Sequence, residues 1–146
     1  GHGGEFAHGL TYSGHPASCA AGLATMDVLE HSDIVHQSAT ILAPYFNAAL
    51  QTLSDHPIVG QVRAKGLVAA VELVKDKSSR ERLAPESGAA VYCRDRAIEG
   101  GLMVRQTGDA MIMSPPFVTT TGEIDALIAT LTEGLDKTAT HFGVKS

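Results

Sequence analysis

The segment "LMVRQTGDAMIMS", residues 102–114, constrains the fold most strongly, because it places two apolar runs on either side of a turn sequence. The connecting residues, Thr107-Gly108-Asp109, are typical of a tight hairpin turn, so we expect the two runs to pair as strands. Pro115-Pro116 follows directly and ends the second strand, since proline has no N–H to donate to a sheet. The chain therefore contains a sheet that includes this hairpin.

Two more strands are predicted upstream of the hairpin. The segment "IVGQVRA", residues 58–64, alternates apolar and polar side chains, and Gly66 supplies a bend after it. The segment "LVAAVELV", residues 67–74, is almost continuously apolar, which predicts a strand buried on both faces. A charged run, residues 75–87, follows as a surface loop.

Helices are predicted around these strands from apolar spacing and from their end signals. Their expected bounds are about Pro16–Glu30, Asp33–Leu53 and Gly88–Glu99, with a last helix that opens on the capping box Thr120-x-x-Glu123. Pro44 lies inside the second helix, where a lost hydrogen bond and a steric clash cost about 3 kcal/mol, so we expect a kink or a restart there. The predicted fold class is α/β of the α+β kind, a small, mostly antiparallel sheet covered by helices on one face.

Composition excludes several classes of function. At 146 residues and 44% apolar composition, the chain is long enough for one domain with a core. Its formal net charge of −5 arises from scattered charged residues without a basic run, which argues against a nucleic-acid partner. Cys19 and Cys93 form no C-x-x-C pair, which suits a reducing compartment. No apolar run reaches the roughly 18 residues of a membrane span, and no signal peptide is evident, so a cytoplasmic protein without a membrane partner is expected.

The histidines do not predict a metal site. His8 and His15 are separated by glycines that oppose a shared helix face, and no third ligand is evident. We expect His15 to fix the turn before Pro16 instead.

Three blocks in order give this chain a family resemblance: "HGLTYSGHPASCAAGLATMDVLE", "VGQVRAKGLVAAVELVKDK" and "GLMVRQTGDAMIMSPPFVTTTGEIDAL". Together they resemble the carboxy-terminal third of the class III pyridoxal-phosphate (PLP) aminotransferases, and within that class the ω-amine and ω-amino acid:pyruvate group. The resemblance implies a fold-type-I enzyme that is a homodimer, uses pyridoxal 5'-phosphate, and acts on small-molecule amines and keto acids. Residues 1–15 would then be an interface segment of the large domain, and residues 16–146 the C-terminal small domain with its connecting helix.

The resemblance also places the catalytic lysine outside this chain. In the family, the lysine that forms the Schiff base with the cofactor lies a few dozen residues before the "TYSGHP" block, after an aspartate that pairs with the pyridine nitrogen. Both would precede Gly1, and the lysines here, Lys65, Lys75, Lys77, Lys137 and Lys145, lack the small-residue turn that such a lysine follows. The opening "GHGG" lacks an initiator methionine, which indicates either an expression scar or a fragment of a longer protein. Because the Schiff-base lysine is missing, we expect the fragment to bind no cofactor and to be inactive alone.

Thr11, the threonine of the "TYSGHP" block, is the candidate cofactor-binding residue. The resemblance implies that it reaches the cofactor phosphate held mainly by the neighbouring subunit, and a hydroxyl plus a backbone N–H beside a helix start suits a phosphate dianion. Gly9 and Gly14 would let the backbone approach closely. The alternative is a solvated turn that leads into a helix, and Tyr12 and Ser13 are open to packing or site roles alike.

Arg105 is the candidate substrate-binding residue. Relatives that act on ω-amino acids or pyruvate carry an arginine here that can grip a carboxylate with two hydrogen bonds. The alternative is a strand arginine paired with Asp109 across the turn. Some family members also place a mobile arginine after the "PP" block, where this chain has Thr120 or Thr121. That departure either argues against dual recognition of carboxylate and amine side chains or leaves this recognition to Arg105.

Two other functions remain open from the sequence alone. The chain could be a stand-alone, non-enzymatic small α/β interaction domain, although the apolar, small-residue face of its first helix favours a missing partner surface. It could also belong to another class III PLP enzyme, a decarboxylase or an aminomutase, because these share the same blocks.

Overall fold

The computed structural model describes residues 9–144, and it divides the chain into two units, Gly1–Val35 and His36–Ser146. Residues 1–8, which include His8, lie outside the described residues, as do residues 145–146. The predicted interface segment, residues 1–15, and small domain, residues 16–146, therefore remain a prediction.

The first unit is dominated by helix α1, Pro16–His31. Pro16 occupies the first turn, where its missing N–H leaves no intrahelical hydrogen bond unmade. Ser32 ends the helix, since its N–H and its hydroxyl both donate to the Val28 carbonyl, at 3.0 and 2.6 Å. The predicted helix is confirmed to within one residue. None of its residues is buried.

The second predicted helix runs without interruption but changes type along its length. Helix α2, Ile34–Gln37, leads into a π-helical segment, Ser38–Leu42, which is followed by α3, Ala43–Gln51, and a 3-10 turn, Thr52–Asp55. The Ala43 N–H donates to the Ser38 carbonyl, one residue further back than in an α-helix, and Pro44 has no N–H to donate. The expected kink or restart at Pro44 is therefore replaced by a π-helical segment within a continuous helix.

Four antiparallel strands form one sheet in the order β1-β2-β4-β3. Their bounds are Val59–Lys65 for β1, Val68–Leu73 for β2, Arg105–Thr107 for β3 and Ala110–Met113 for β4. The predicted hairpin is confirmed: β3 and β4 pair across Gly108 and Asp109, and Gly108 takes the left-handed φ of 56° that the turn requires.

The prediction that β2 is buried on both faces is wrong. Ala69, Val71 and Leu73 are buried, whereas Val68 is 56% exposed and the alternate residues Ala70 and Glu72 are half-buried. An antiparallel strand with one face on the helices shows this alternation, and short apolar side chains on the other face hide it in the sequence. We call that other face the open face; its members are Arg63, Ala70, Glu72, Arg105, Ala110 and Ile112.

Helices α3, α4 (Ala89–Glu99) and α5 (Thr121–Phe142) build the core with the opposite face of the sheet. The largest fully buried side chains are Phe46, Leu50, Ile58, Leu73, Met111, Ile124, Leu131 and Leu135. Gly134 lies where α5 packs on α4, and its nearest neighbours there are backbone atoms of Cys93 and Ala97. Burial raises the pKa of the Cys93 thiol, which therefore stays protonated.

The predicted capping box at the start of α5 is confirmed. Glu123 N–H donates to the Thr120 hydroxyl at 3.2 Å, and the Glu123 carboxylate accepts from the Thr120 N–H at 2.7 Å. The hydrogen bond from the Thr120 N–H, together with one from the Thr120 hydroxyl at 2.9 Å, lowers the pKa of the Glu123 carboxyl. Within residues 9–144, no helix is long and apolar enough to cross a membrane.

Candidate functional site

Thr11 lies in a tight turn, residues 11–14, just before α1. The turn is held by backbone hydrogen bonds from Ser13 N–H to the Leu10 carbonyl, 3.0 Å, and from His15 N–H to the Tyr12 carbonyl, 3.2 Å. Gly14 permits the turn with a left-handed φ of 75°. The bend is therefore a defined structure with its own backbone hydrogen bonds.

Two side chains near Thr11, those of Ser13 and His15, accept hydrogen bonds from backbone N–H groups. The Ser13 hydroxyl accepts from Leu10 N–H at 3.3 Å, and His15 Nδ1 accepts from Ser18 N–H at 3.4 Å as the N-cap of α1, which agrees with the expectation for His15. Thr11 is exposed, and neither its hydroxyl nor its N–H has a partner within residues 9–144. Thr11 thus has two donors available to an anion, and the Ser13 hydroxyl, which accepts from the Leu10 N–H, still has its own proton to donate.

Arg105 lies at the edge of the open face of the sheet. It is exposed and pairs across strands with Ile112, so the two side chains lie on the same side. Within the described part of the chain, its guanidinium has no ion-pair partner. An exposed, unpaired guanidinium next to an apolar side chain is suited to a ligand with a carboxylate and a carbon chain.

The alternative pairing of Arg105 with Asp109 is not found. Asp109 pairs with Arg82 instead, with Arg82 Nε 3.8 Å from Asp109 Oδ2. The Leu73 N–H donates to the Asp109 carbonyl at 2.8 Å, which places the turn beside Arg82 at the end of β2.

Arg82 and Glu72 are the site residues that sequence reasoning missed. Glu72 Oε2 lies 3.4 Å from Arg63 Nη1, and Glu72 Oε1 lies 3.4 Å from Arg82 Nη2. Arg63, Glu72, Arg82 and Asp109 thus form a series of ion pairs in which positive and negative charges alternate. The available signal was Glu72 itself, because a single carboxylate inside an apolar strand requires cations nearby.

Thr120 is one of the two threonines, with Thr121, at which the resemblance places a mobile arginine in some relatives, and its hydroxyl and N–H already make hydrogen bonds. Its hydroxyl and N–H serve the capping box with Glu123. This residue therefore anchors α5.

The described lysines lie on the surface. Lys75 pairs with Glu81 at 2.6 Å, which raises the pKa of the lysine, and Lys137 lies 3.7 Å from Glu133. Lys77 donates to the Ser54 carbonyl, and Lys65 is exposed at the end of β1. Lys145 lies outside the described residues. All four described lysines are exposed, whereas a lysine that acts as a nucleophile is activated by a buried setting.

Comparison with known proteins identifies the class. The class-III aminotransferase family matches residues 2–135, and the chain belongs to that family. Its members are PLP-dependent enzymes.

The relatives agree in sequence. The putrescine–pyruvate aminotransferase of Pseudomonas aeruginosa is 44% identical over 137 residues, which cover 94% of this chain and 30% of that protein. The mitochondrial gamma aminobutyrate transaminase 1 of Solanum lycopersicum is 38% identical, covering 92% of this chain and 26% of that protein. This chain therefore spans less than a third of the length of these relatives.

Solved structures agree in fold. The omega transaminase from Pseudomonas jessenii in complex with PMP superimposes with a TM-score of 0.87 at 33% identity, covering 96% of this chain and 31% of that one. A thermostable 6-fold mutant of the omega transaminase from the same organism gives 0.86 at 34% identity, with 94% and 30% covered. The predicted fold class, part of the fold-type-I PLP-dependent transferase fold, is confirmed.

Proposed function

We propose that this chain is the C-terminal part of a PLP-dependent aminotransferase that moves an amino group from an ω-amine or ω-amino acid to pyruvate or another keto acid. The observation that carries the proposal is the 44% identity to a putrescine–pyruvate aminotransferase across 94% of the chain. The similarity to gamma aminobutyrate transaminases supports ω-amino acids as a second kind of donor.

Thr11 is the proposed contact of this chain with the cofactor. PLP supplies an electron sink at the substrate carbon when it is bound, and its phosphate requires hydrogen-bond donors. The uncommitted hydroxyl and N–H of Thr11 fit that requirement. We place this phosphate mainly in the neighbouring subunit of a homodimer, with residues 1–15 as the interface segment and residues 16–146 as the small domain.

Arg105 is the proposed carboxylate-binding residue. Its exposed guanidinium can donate two parallel hydrogen bonds to the carboxylate of an ω-amino acid or a keto acid. Ile112, its cross-strand neighbour, offers an apolar surface to the carbon chain of the substrate.

The chain alone should not transfer amino groups. None of its described lysines has the setting of the lysine that the family attaches to the cofactor, so that group must come from elsewhere in the full-length enzyme. The proposed location is the cytoplasm, where the free thiols of Cys19 and Cys93 stay reduced.

The test compares the purified chain with the full-length polypeptide that contains it, each supplied with PLP, pyruvate and either putrescine or 4-aminobutyrate. We expect the full-length polypeptide to form alanine and the chain alone to form none. Carbon dioxide release or amine migration without alanine would assign the enzyme to the decarboxylases or aminomutases. A full-length polypeptide that has none of these activities would overturn the proposal in favour of an interaction domain.

A further inference from the structure

We propose that Arg82 is a positioning residue that neutralises Asp109 and thereby leaves the Arg105 guanidinium free for a substrate carboxylate. The inference rests on the function proposed above for Arg105. It adds that the specificity for carboxylate substrates depends on a loop residue that does not touch the substrate.

The geometry around Arg82 carries this inference. Its guanidinium lies between two carboxylates, with Nη2 3.4 Å from Glu72 Oε1 and Nε 3.8 Å from Asp109 Oδ2. The side chains of Glu72 and Asp109 are only 21% and 20% exposed. Carboxylates that have lost most of their water require a cation nearby, and Arg82 serves both.

Removal of Arg82 would affect the two carboxylates differently. Glu72 would keep Arg63 as an ion-pair partner, since Arg63 Nη1 lies 3.4 Å from Glu72 Oε2. Asp109 would keep no cation among residues 9–144, since Arg82 is its ion-pair partner there. Arg105 lies on β3, the strand that leads into the turn with Asp109, and it is the one basic residue of the hairpin segment, residues 102–114. We therefore expect an unpaired Asp109 to compete with the substrate carboxylate for Arg105.

The first experiment measures steady-state and donor half-reaction kinetics of the full-length enzyme. In Arg82→Gln, KM for 4-aminobutyrate should rise about tenfold with little change in kcat, because one charge-assisted interaction of the substrate is lost. KM for putrescine, which has no carboxylate, should not change. The double variant Arg82→Gln/Asp109→Asn should restore KM for 4-aminobutyrate, since the competing carboxylate is gone.

Arg80→Gln is the matched control. Arg80 lies in the same loop and has no ion-pair partner within the described residues, so the variant removes the same charge without freeing Asp109. It should leave KM for both donors unchanged. An equal effect of Arg80→Gln and Arg82→Gln would overturn the inference, because general charge loss would then explain it.

The second experiment observes the Arg105 guanidinium directly by NMR and does not depend on enzyme activity. In ¹⁵N NMR spectra of the chain, the Arg105 Nε–Hε proton should exchange with water more slowly in Arg82→Gln than in the wild type, and fast exchange should return in the double variant. Unchanged exchange in Arg82→Gln would overturn the inference. If Arg105→Ala leaves KM for 4-aminobutyrate unchanged, the carboxylate role of Arg105 fails, whereas the NMR comparison still decides whether Arg82 keeps Asp109 from Arg105.

Discussion

His56 Nε2 lies 3.1 Å from the Asp136 carboxylate, and this hydrogen bond joins the segment before β1 to helix α5. The Ile58 N–H approaches His56 Nδ1 at 3.4 Å, so Nε2 is the ring nitrogen that carries the proton and donates it. The His56 side chain is only 10% exposed, so the loss of its hydrogen bonds would destabilise the folded state.

We expect His56→Ala to lower the free energy of unfolding by about 1–2 kcal/mol, because it removes a half-shielded hydrogen bond and leaves a gap. Urea denaturation of the chain measures this. Asp136→Asn keeps an oxygen acceptor and should lose clearly less. Equal stability of His56→Ala and the wild type would contradict the structural role.

Asp76 makes the stability of the charged loop, residues 75–87, depend on pH in the acidic range. Its carboxylate accepts from the Ser78 hydroxyl at 2.6 Å and from the N–H groups of Ser78 and Ser79, which lowers the pKa of Asp76 to about 2. Because the folded pKa is below the unfolded value, the contribution is complete above pH ~4 and is lost as the pH falls toward about 2.

The measurement follows the Asp76 carboxyl signal by NMR between pH 5 and pH 2, with amide signals of the loop beside it. Ser78→Ala should raise the pKa of Asp76 toward its ordinary value, since it removes the largest cause of the shift. A carboxyl that titrates at its ordinary value in the wild type would contradict the hydrogen bonds.

Helix α1 predicts concentration-dependent self-association of the chain. Leu23 and Met26 are 65% and 57% exposed and lie three positions apart on one helix face. Apolar side chains at such spacing favour burial against another surface. Light scattering at rising concentration should detect oligomers, and Leu23→Glu should reduce them, whereas Thr25→Glu adds the same charge on a different face. A strictly monomeric wild type would contradict the prediction.

Much of the fold followed from local signals. The turn at Gly108 and Asp109 and the capping box at Thr120 and Glu123 each depend on a few neighbouring residues, so the sequence was sufficient to predict them. The burial of β2 was not, because Ala70 and Val68 are apolar whether or not something covers them.

The candidate site also contains residues that the sequence predicts and a contact that it does not predict. Thr11 and Arg105 were found through a family resemblance that depends on linear blocks. The pairing of Arg82 with Asp109 joins residues from separate segments, and only the tertiary hydrogen bond from Leu73 to the Asp109 carbonyl brings them together. Sequence spacing favoured the nearer arginine, Arg105, and could not reveal this competitor.

Arg105→Ala in the full-length enzyme should discriminate between donors. We expect kcat/KM for 4-aminobutyrate to fall roughly ten- to a hundredfold, which corresponds to a charge-assisted contact of about 1.5–3 kcal/mol. The value for putrescine should change little. The donor half-reaction is the assay, because it separates the donor from pyruvate. Equal losses with both donors would assign Arg105 to the structure of the sheet.

Thr11 gives the most direct test that this chain completes a PLP site. Thr11→Ala in the full-length protein should weaken cofactor affinity roughly ten- to a hundredfold, since one charge-assisted hydrogen bond is worth about 1.5–3 kcal/mol. Thr11→Ser keeps the hydroxyl and should lose little. The measurement is titration of the apo-enzyme with pyridoxal phosphate, together with sedimentation of the dimer, which should be stabilised by the cofactor less in Thr11→Ala than in the wild type. Equal cofactor affinity in Thr11→Ala and the wild type would contradict the account.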